Sequence, residues 1–115
     1  MNKIKAIFID PDNKTVSTVE LTPKDGDIDL EECYKLMECN LVEFVYFGEK
    51  EILILDEEGL LRDKIPFFIE GVGQQYFCGK ALIVQEDDEV CTSVEEDRIE
   101  AIVKMISFPE IEEED

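Results

Sequence analysis

The chain contains few of the side chains that carry out most enzyme chemistry. Its 115 residues include four cysteines and no histidine. Without an imidazole, a cysteine or serine nucleophile has no partner base, and zinc lacks its commonest ligand. No two of the cysteines form a Cys-x-x-Cys pair; they are Cys33, Cys39, Cys78 and Cys91. We therefore expect free cysteines packed as small apolar side chains, in a protein that is not an enzyme and holds no metal or other cofactor.

Two short motifs resemble known active-site signatures, but each lacks a required position. Asp10 and Asp12 follow an apolar run, as the nucleophile and the general acid do in haloacid-dehalogenase phosphatases. Lys14 stands at the next required position, and the chain is too short for that parallel-sheet fold. The glycine-containing segment before Lys80 resembles a phosphate loop, but it is one residue too long, and Ala81 replaces the magnesium-binding Ser or Thr. Neither motif predicts an active site.

Acidic side chains dominate the composition. There are 30 Asp and Glu against 11 Lys and Arg, which gives a net charge of −19. Such a surface repels DNA, RNA and anionic membranes, so we expect direct binding to none of them. It attracts basic surfaces instead, and the sequence predicts a partner protein with a basic, nucleic-acid-binding groove. The predicted partner-binding residues are the clustered acids Asp56, Glu57, Glu58, Glu86, Asp87, Asp88, Glu89, Glu95 and Glu96.

A group of aromatic side chains on either side of two glycines suggests an alternative function. They could line a pocket for a small ligand such as a signalling nucleotide, which the protein would sequester, with a lysine attracting the phosphate. Such aromatic residues are more often simply core, and the sequence leaves both interpretations open. The residues of this alternative pocket are Phe67, Phe68, Tyr76, Phe77 and Lys80.

The hydrophobic pattern predicts an α+β fold with one mainly antiparallel β-sheet packed by two α-helices. We expect a single domain over residues 1–109. Residues 110–115 hold five acids in six positions and are expected to form a mobile acidic tail. Strands are expected over five apolar or β-branched runs: 3–9, 15–21, 41–47, 51–56 and 79–84.

Three of these runs have features that predict their place in the sheet. Gly48-Glu49-Lys50 separates two runs at a spacing typical of a β-hairpin. Ile52 to Leu55 is apolar at every position, which predicts a strand buried on both faces. Pro66, within a further apolar run, predicts a sheet edge or a loop because proline has no N–H to donate.

Both helices are predicted to begin with a capping box. Asp29 is expected to cap a helix from Leu30 to about Cys39, with Glu32 reaching back from its third position. Ser93 and Glu96 are expected to do the same for a second helix. The buried face of that helix is predicted to carry Ile99, Ile102, Val103 and Ile106, and Pro109 is expected to end it.

Three motifs in this order resemble a small family of uncharacterised proteins. They are KAIFIDP from Lys5, ILDEEGLL from Ile54 and GKALIV from Gly79, and the similarity runs from about Lys3 to the last helix. The family is known as a domain of unknown function found mostly in bacteriophages and mobile elements. The resemblance implies a phage or mobile-element protein, and small acidic proteins of that kind often act by binding a host protein. It therefore implies an inhibitor of a host defence protein.

The expected location is the cytoplasm of a bacterial host. No apolar stretch is long enough for a signal peptide or a membrane span. A homodimer formed through a sheet edge or the C-terminal helix is left open, although the high negative charge opposes it.

Overall fold

The described part of the chain consists of nine strands and two helices. The computed structural model describes residues 3–59, 64–70 and 76–109, so the acidic tail 110–115 lies outside the described residues. In chain order the elements are β1 (Ile4–Asp10), β2 (Thr15–Leu21), α1 (Leu30–Met37), β3 (Val42–Phe47), β4 (Glu51–Asp56), β5 (Pro66–Ile69), β6 (Phe77–Cys78), β7 (Ala81–Asp87), β8 (Val90–Thr92), α2 (Glu96–Met105) and β9 (Ile106–Ser107). The α+β prediction is confirmed.

The main sheet has the strand order β2-β1-β7-β4-β3, and β8 pairs with the end of β7. Every pairing in it is antiparallel. The predicted hairpin of β3 and β4 is confirmed, with Phe47 opposite Glu51. A second, smaller sheet has the order β6-β5-β9. The last long strand, β7, thus lies at the centre of the main sheet, between β1 and β4.

Both faces of the main sheet are covered. On one face, here called the α1 face, Cys33 and Met37 of α1 pack on alternate strand residues that include Ile52 and Ile54. The opposite face, the α2 face, packs Leu53 against Ile102 of α2 and against the small sheet. Because side chains alternate along a strand, an uninterrupted apolar run such as Ile52 to Leu55 is stable only when both faces are buried. All four of these side chains are buried, as predicted.

The first helix begins as predicted but does not form the full capping box. The carboxylate of Asp29 accepts a hydrogen bond from the amide of Glu31 at 3.1 Å. The carboxylate of Glu32 instead accepts from the amide of Thr22 at 2.8 Å, so it ties the helix to the end of β2. The helix ends at Met37, two residues before the predicted end, because Glu38 adopts a left-handed conformation with φ of 53°.

The prediction of a capping box at the start of α2 is wrong. The residue before α2 is Glu95, which makes no side-chain cap hydrogen bond. The hydroxyl of Ser93 accepts from the amide of Lys5 at 2.8 Å, and Glu96 forms an ion pair with the ammonium of Lys5. Both predicted cap side chains are thus used to hold the start of α2 against β1.

The end of α2 and the place of Pro66 also differ from the prediction. The predicted helix residue Ile106 instead begins β9, so the helix has already ended before Pro109. The strand β5 is central in the small sheet, not at its edge. Pro66 is its first residue and pairs with Cys78, whereas β9 pairs only with Phe68 and Ile69. The proline therefore lies where β5 has only one neighbouring strand, a position that proline tolerates.

Candidate functional site

The predicted partner-binding acids lie at two opposite ends of the main sheet. β4 runs from Glu51 to Asp56, a length of about 17 Å at the rise per residue of a strand. Gln85 of β7 pairs with Glu51, so the acids that follow Gln85 lie beyond that end of β4. Asp56 and the two acids after it lie at the other end. The nine acids therefore do not form one surface.

One end of the sheet collects acids from three segments. These are the β3–β4 turn, the β7–β8 hairpin and the start of α2. We call this surface the acidic end, and its members are Glu49, Glu86, Asp87, Asp88, Glu89, Glu95 and Glu96. The sequence predicted all of these residues as partner-binding except Glu49. Glu49 was missed because it is a single acid in the turn Gly48-Glu49-Lys50 and not part of an acidic run.

Hydrogen bonds donated by backbone amides hold these three segments together. The amide of Glu86 donates to the carbonyl of Lys50 at 2.9 Å, which joins β7 to the β3–β4 turn. The amide of Glu95 donates to the side-chain carbonyl of Gln85 at 3.1 Å, which joins the start of α2 to β7. Gln85 is buried, so its amide is fixed by packing. A shallow cavity of about 490 Å³ lies between the segments, and Glu49 and Glu95 are among its lining residues.

Two basic side chains at the acidic end, those of Arg98 and Lys5, are already engaged, whereas Lys50 of the β3–β4 turn lines the same cavity and forms no ion pair with a described residue. The guanidinium of Arg98 contacts the carboxylate of Glu51 at 2.6 Å, and this hydrogen bond is the main reason that the pKa of Arg98 is raised. Lys5 is paired with Glu96. Within the acidic end, the exposed acids with no ion pair to any described residue are Glu49, Asp87, Asp88, Glu89 and Glu95.

The β7–β8 hairpin holds its two turn residues in an unfavourable backbone conformation. Asp88 and Glu89 have φ of 50° and 66°, the left-handed values that a two-residue type I′ turn requires. Asn-Gly is the usual pair at such positions, because glycine has no Cβ to clash. Two acidic residues here place charge at the tip of the hairpin at the expense of some stability.

An exposed aromatic pair on β3 was missed by the sequence analysis. Phe44 and Tyr46 are 44% and 63% exposed. The hydroxyl of Tyr46 donates to the carboxylate of Glu86 at 3.3 Å. The charge of Glu86 is the main cause that raises the pKa of Tyr46, with burial second. One feature of the sequence could have predicted this exposure. Residues 41–47 carry apolar side chains on both faces of the strand, and only an inner strand of a sheet can bury both of its faces.

The opposite end of the sheet buries Asp56, which corrects its assignment as a partner-binding residue. The side chain of Asp56 is 1% exposed, and one of its oxygens lies 2.7 Å from the ammonium of Lys64. The other oxygen accepts from the amide of Glu58 at 2.9 Å. Asp56 therefore stabilises the turn after β4 and cannot touch a docked protein. Of its two neighbours, Glu57 is exposed and Glu58 is half-buried.

A cleft of about 380 Å³ lies beside this buried acid, and Lys64 and Lys80 contribute to its wall. Lys80 forms an ion pair with Glu38 and lies 3.9 Å from a carboxylate oxygen of Asp12. Lys64 donates to the backbone carbonyl of Glu38 at 2.9 Å, besides its contact with Asp56. Both lysines are thus neutralised by nearby carboxylates, so the cleft offers no excess positive charge to an anion.

The residues of the alternative pocket are not brought together around a common space. Phe67 is completely buried in the α2-face core, where its ring lies 5.7 Å from that of Phe77. Phe68 and Tyr76 form a separate edge-to-face pair at 6.1 Å on the surface. Of the five, only Lys80 lines the 380 Å³ cleft. Phe67 is a core residue, which corrects its assignment to a ligand pocket.

None of the four cysteines, all of which lie in the described residues, forms a disulfide. Burial raises the pKa of the Cys91 thiol to about 12 and that of Cys33 to about 11. Both thiols are therefore neutral at pH 7, a state that is a poor nucleophile and a poor metal ligand. Among residues 3–59, 64–70 and 76–109, no group of three or more acids and cysteines could hold a metal ion. Over the same ranges, no helix has the length and apolar character needed to cross a bilayer.

Comparison with known proteins gives one match. A family model described as a domain of unknown function, DUF3846, matches residues 4–107, which include every strand and helix described above. No curated protein and no solved structure matches the chain. The expected similarity to an uncharacterised family is thus confirmed.

Proposed function

This chain belongs to the DUF3846 family of unknown function, and we propose from its own surface that it is a non-enzymatic binding protein. Its acidic end docks on the basic surface of a partner protein, at a groove where the partner otherwise binds nucleic acid. The observation that carries this proposal is the convergence of Asp87, Asp88, Glu89 and Glu95 on one end of the sheet, exposed and without ion pairs to described residues.

Clustering matters because the average charge density of the chain is low. A surface of 7416 Å² and a net charge of −19 give about 390 Å² for each net charge. B-DNA has on the order of one charge per 100 Å² of its surface. An evenly charged protein would therefore compete poorly for a DNA-binding groove. Five of the seven acids at the acidic end are exposed without an ion pair to a described residue, so their clustering raises the local density of negative charge above this average.

The resemblance to phage and mobile-element proteins suggests what the partner is. We propose a host defence protein that binds nucleic acid, inhibited in the cytoplasm of a bacterial host. Electrostatic attraction would speed the encounter and would weaken as salt screens it. The chain itself, with its net charge of −19, would be repelled by the nucleic acid it displaces.

The test compares two triple variants of equal charge. The first changes the acidic end by Asp87→Lys, Glu89→Lys and Glu95→Lys. The control changes exposed acids elsewhere by Glu31→Lys, Glu57→Lys and Glu70→Lys. Each substitution adds two positive charges, so both triples change the net charge from −19 to −13. Any difference between them reports position and not total charge.

The measurement has two steps. Basic proteins captured from bacterial lysate at low salt are identified, and each purified partner is then tested for displacement from labelled duplex DNA. Wild-type protein and the control triple are expected to displace the partner, and the acidic-end triple to lose at least about tenfold in potency, or about 1.4 kcal/mol. Equal potency of the two triples, or no displacement by wild type, would contradict the proposal.

A nucleotide-binding function is the second candidate, and the cleft beside Lys64 and Lys80 is the observation that favours it. A phosphate there would have to displace Glu38 from Lys80 and Asp56 from Lys64, both within a strongly negative chain. A ligand at 100 times its Kd stabilises a protein by about 2.7 kcal/mol, which a thermal shift detects. We expect no shift with a panel of nucleotides, and a clear shift would favour this second function.

A further inference from the structure

The edge strand β3 has one neighbour, β4, within the described part of the sheet. Its six residues pair with β4 in unbroken register, from Val42 opposite Asp56 to Phe47 opposite Glu51. No bulge interrupts this run. β3 is therefore a regular strand of about 20 Å whose second side pairs with no described strand.

A hydrogen bond just before the start of β3 shows which of its backbone groups point to the open side. The amide of Glu57 donates to the carbonyl of Leu41, which makes Leu41 and Glu57 a hydrogen-bonded pair. Such pairs alternate along an antiparallel ladder, so the odd-numbered residues of β3 bond to β4. The N–H and C=O groups of Val42, Phe44 and Tyr46 consequently face outward.

The pairing on the far side of β4 supports this assignment. The amide of Glu86 donates to the carbonyl of Lys50, so the even-numbered residues of β4 bond to β7. Its odd-numbered residues must then bond to β3, in agreement with the pair formed by Leu41 and Glu57. Two separate hydrogen bonds thus fix the same set of outward groups.

The side chains of this edge include only one of the features that usually protect an edge strand, the charge of Glu43. Natural edges carry lysine, proline, bulges or short strands, which oppose pairing with another chain. β3 carries Phe44 and Tyr46, both exposed on the α1 face, and no basic residue or proline. The other edge, β2, is rich in Ser and Thr and exposes no large hydrophobic side chain among the described residues.

We infer that β3 is a docking site for an extended, basic segment of a partner protein, which adds to the main sheet as a further strand. This inference rests on the proposed function and specifies how part of the partner is held. The outward groups of Val42, Phe44 and Tyr46 bind its main chain. Its cationic side chains on the α1 face lie over the exposed rings of Phe44 and Tyr46 and near Glu86. Those on the α2 face lie near Glu43.

Charge complementarity selects this occupant over a second copy of the chain. Glu43 is exposed on β3, Glu49 follows it in the turn, and Glu86 accepts from Tyr46. A second β3 strand would bring the same acids against these, with a net charge of −19 on each chain. Lysine or arginine at alternate positions would instead pair with them.

The test uses two capped heptapeptides with four lysines each. The first alternates lysine and valine, and the second replaces the central valine by proline, so that the charge is kept but strand pairing is broken. Binding to the full chain is measured by titration at low salt. The alternating peptide is expected to bind at least about tenfold more tightly, the change expected for two or three main-chain hydrogen bonds.

Variants of Phe44 separate the backbone from the ring. Phe44→Thr removes the ring and keeps the outward N–H, whereas Phe44→Pro removes both and leaves the β4 ladder intact. Phe44→Pro is expected to abolish the preference for the alternating peptide, and Phe44→Thr to keep part of it. The melting temperature of each variant shows whether it is folded. If Phe44→Pro does not fold, the comparison of the two peptides on wild-type protein still tests whether the peptide adds to β3 as a strand.

The outcomes distinguish this inference from the proposed function. Equal binding of both peptides, weakened by the acidic-end triple, would overturn strand addition and leave the acidic end as the binding surface. Binding of neither peptide would also overturn it, whereas the displacement assay with a whole partner still tests the acidic end. A concentration-dependent dimer that Phe44→Pro disrupts would assign this edge to a second copy of the chain and overturn the inference.

Discussion

At the scale of single residues, burial decides what each carboxylate does. Asp56 and Asp87 both belong to acidic runs in the sequence. Asp56 is buried against Lys64, whereas Asp87 is exposed at the end of β7. A buried carboxylate must have a cation or hydrogen bonds to compensate for its lost hydration, but an exposed one is free to attract a partner. The same residue type thus serves stability in one place and binding in the other.

The buried ion pair leads to a stability prediction. Lys64→Met would leave the carboxylate of Asp56 buried without its cation, and we expect a loss of about 2–4 kcal/mol, since Lys64 itself is partly exposed. The control is Lys104→Met, which breaks an exposed pair with Glu100 and should cost about 0–0.5 kcal/mol. Urea unfolding of both variants measures the difference. Similar losses would show that the pair of Lys64 and Asp56 contributes no more than a surface pair.

At the scale of elements, close approach of backbone segments determines where the small sheet sits. Gly59 follows β4 and lies directly against β6. A Cβ at Gly59 would lie 2.2 Å from the carbonyl oxygen of Cys78, which real structures do not tolerate. The contact is with backbone on both sides, so neither partner can rotate away. Glycine at this position lets the turn after β4 pack on the small sheet.

Gly59→Ala is therefore expected to be strongly destabilising, by about 3 kcal/mol or more, because the strands must separate to admit one methyl group. Gly26→Ala is the matched control. Gly26 has φ of +83° with open space around it, so alanine there meets only the backbone strain of about 1–2 kcal/mol. Chemical unfolding of the two variants provides the comparison. An equal or smaller loss for Gly59→Ala would mean that the small sheet shifts without difficulty.

At the scale of the whole molecule, the net charge of −19 opposes the compact state. Like charges repel more strongly in the folded chain than in the expanded unfolded one. Salt screens this repulsion over a Debye length of about 8 Å at physiological ionic strength. Surface pairs such as Lys104 with Glu100 are also weakened by salt, but each contributes little. We therefore expect the screening of repulsion to outweigh the weakening of ion pairs, so that added salt stabilises the folded chain.

The melting temperature is expected to rise by about 5 °C, equivalent to about 1 kcal/mol, when sodium chloride is increased from about 0.01 to 0.3 M. The acidic-end triple, with its net charge reduced to −13, should show a smaller rise. Differential scanning calorimetry measures both. A melting temperature that falls with salt would indicate that ion pairs outweigh the repulsion.

Local patterns in the sequence were sufficient for the longer strands, for the burial of the central strand β4 and for the start of α1. The apolar run Ile52 to Leu55 predicted a strand covered on both faces, and Asp29 predicted the start of α1, because periodicity and capping depend on residues close in the chain. The acidic composition predicted the kind of partner to propose. These features involve neighbours within a few positions, so no tertiary information was needed.

Only the tertiary structure decided how side chains with several possible partners were used. Ser93 and Glu96 match a capping box, but Lys5 of a distant strand satisfies both of them instead. The runs 15–21 and 41–47 look alike as strands, but the strand order leaves β3 as an edge with exposed rings. The acids of residues 56–58 and 86–89 separate to opposite ends for the same reason. Contacts between distant segments set these outcomes, because the side chain bonds to whichever group the packed fold brings within reach.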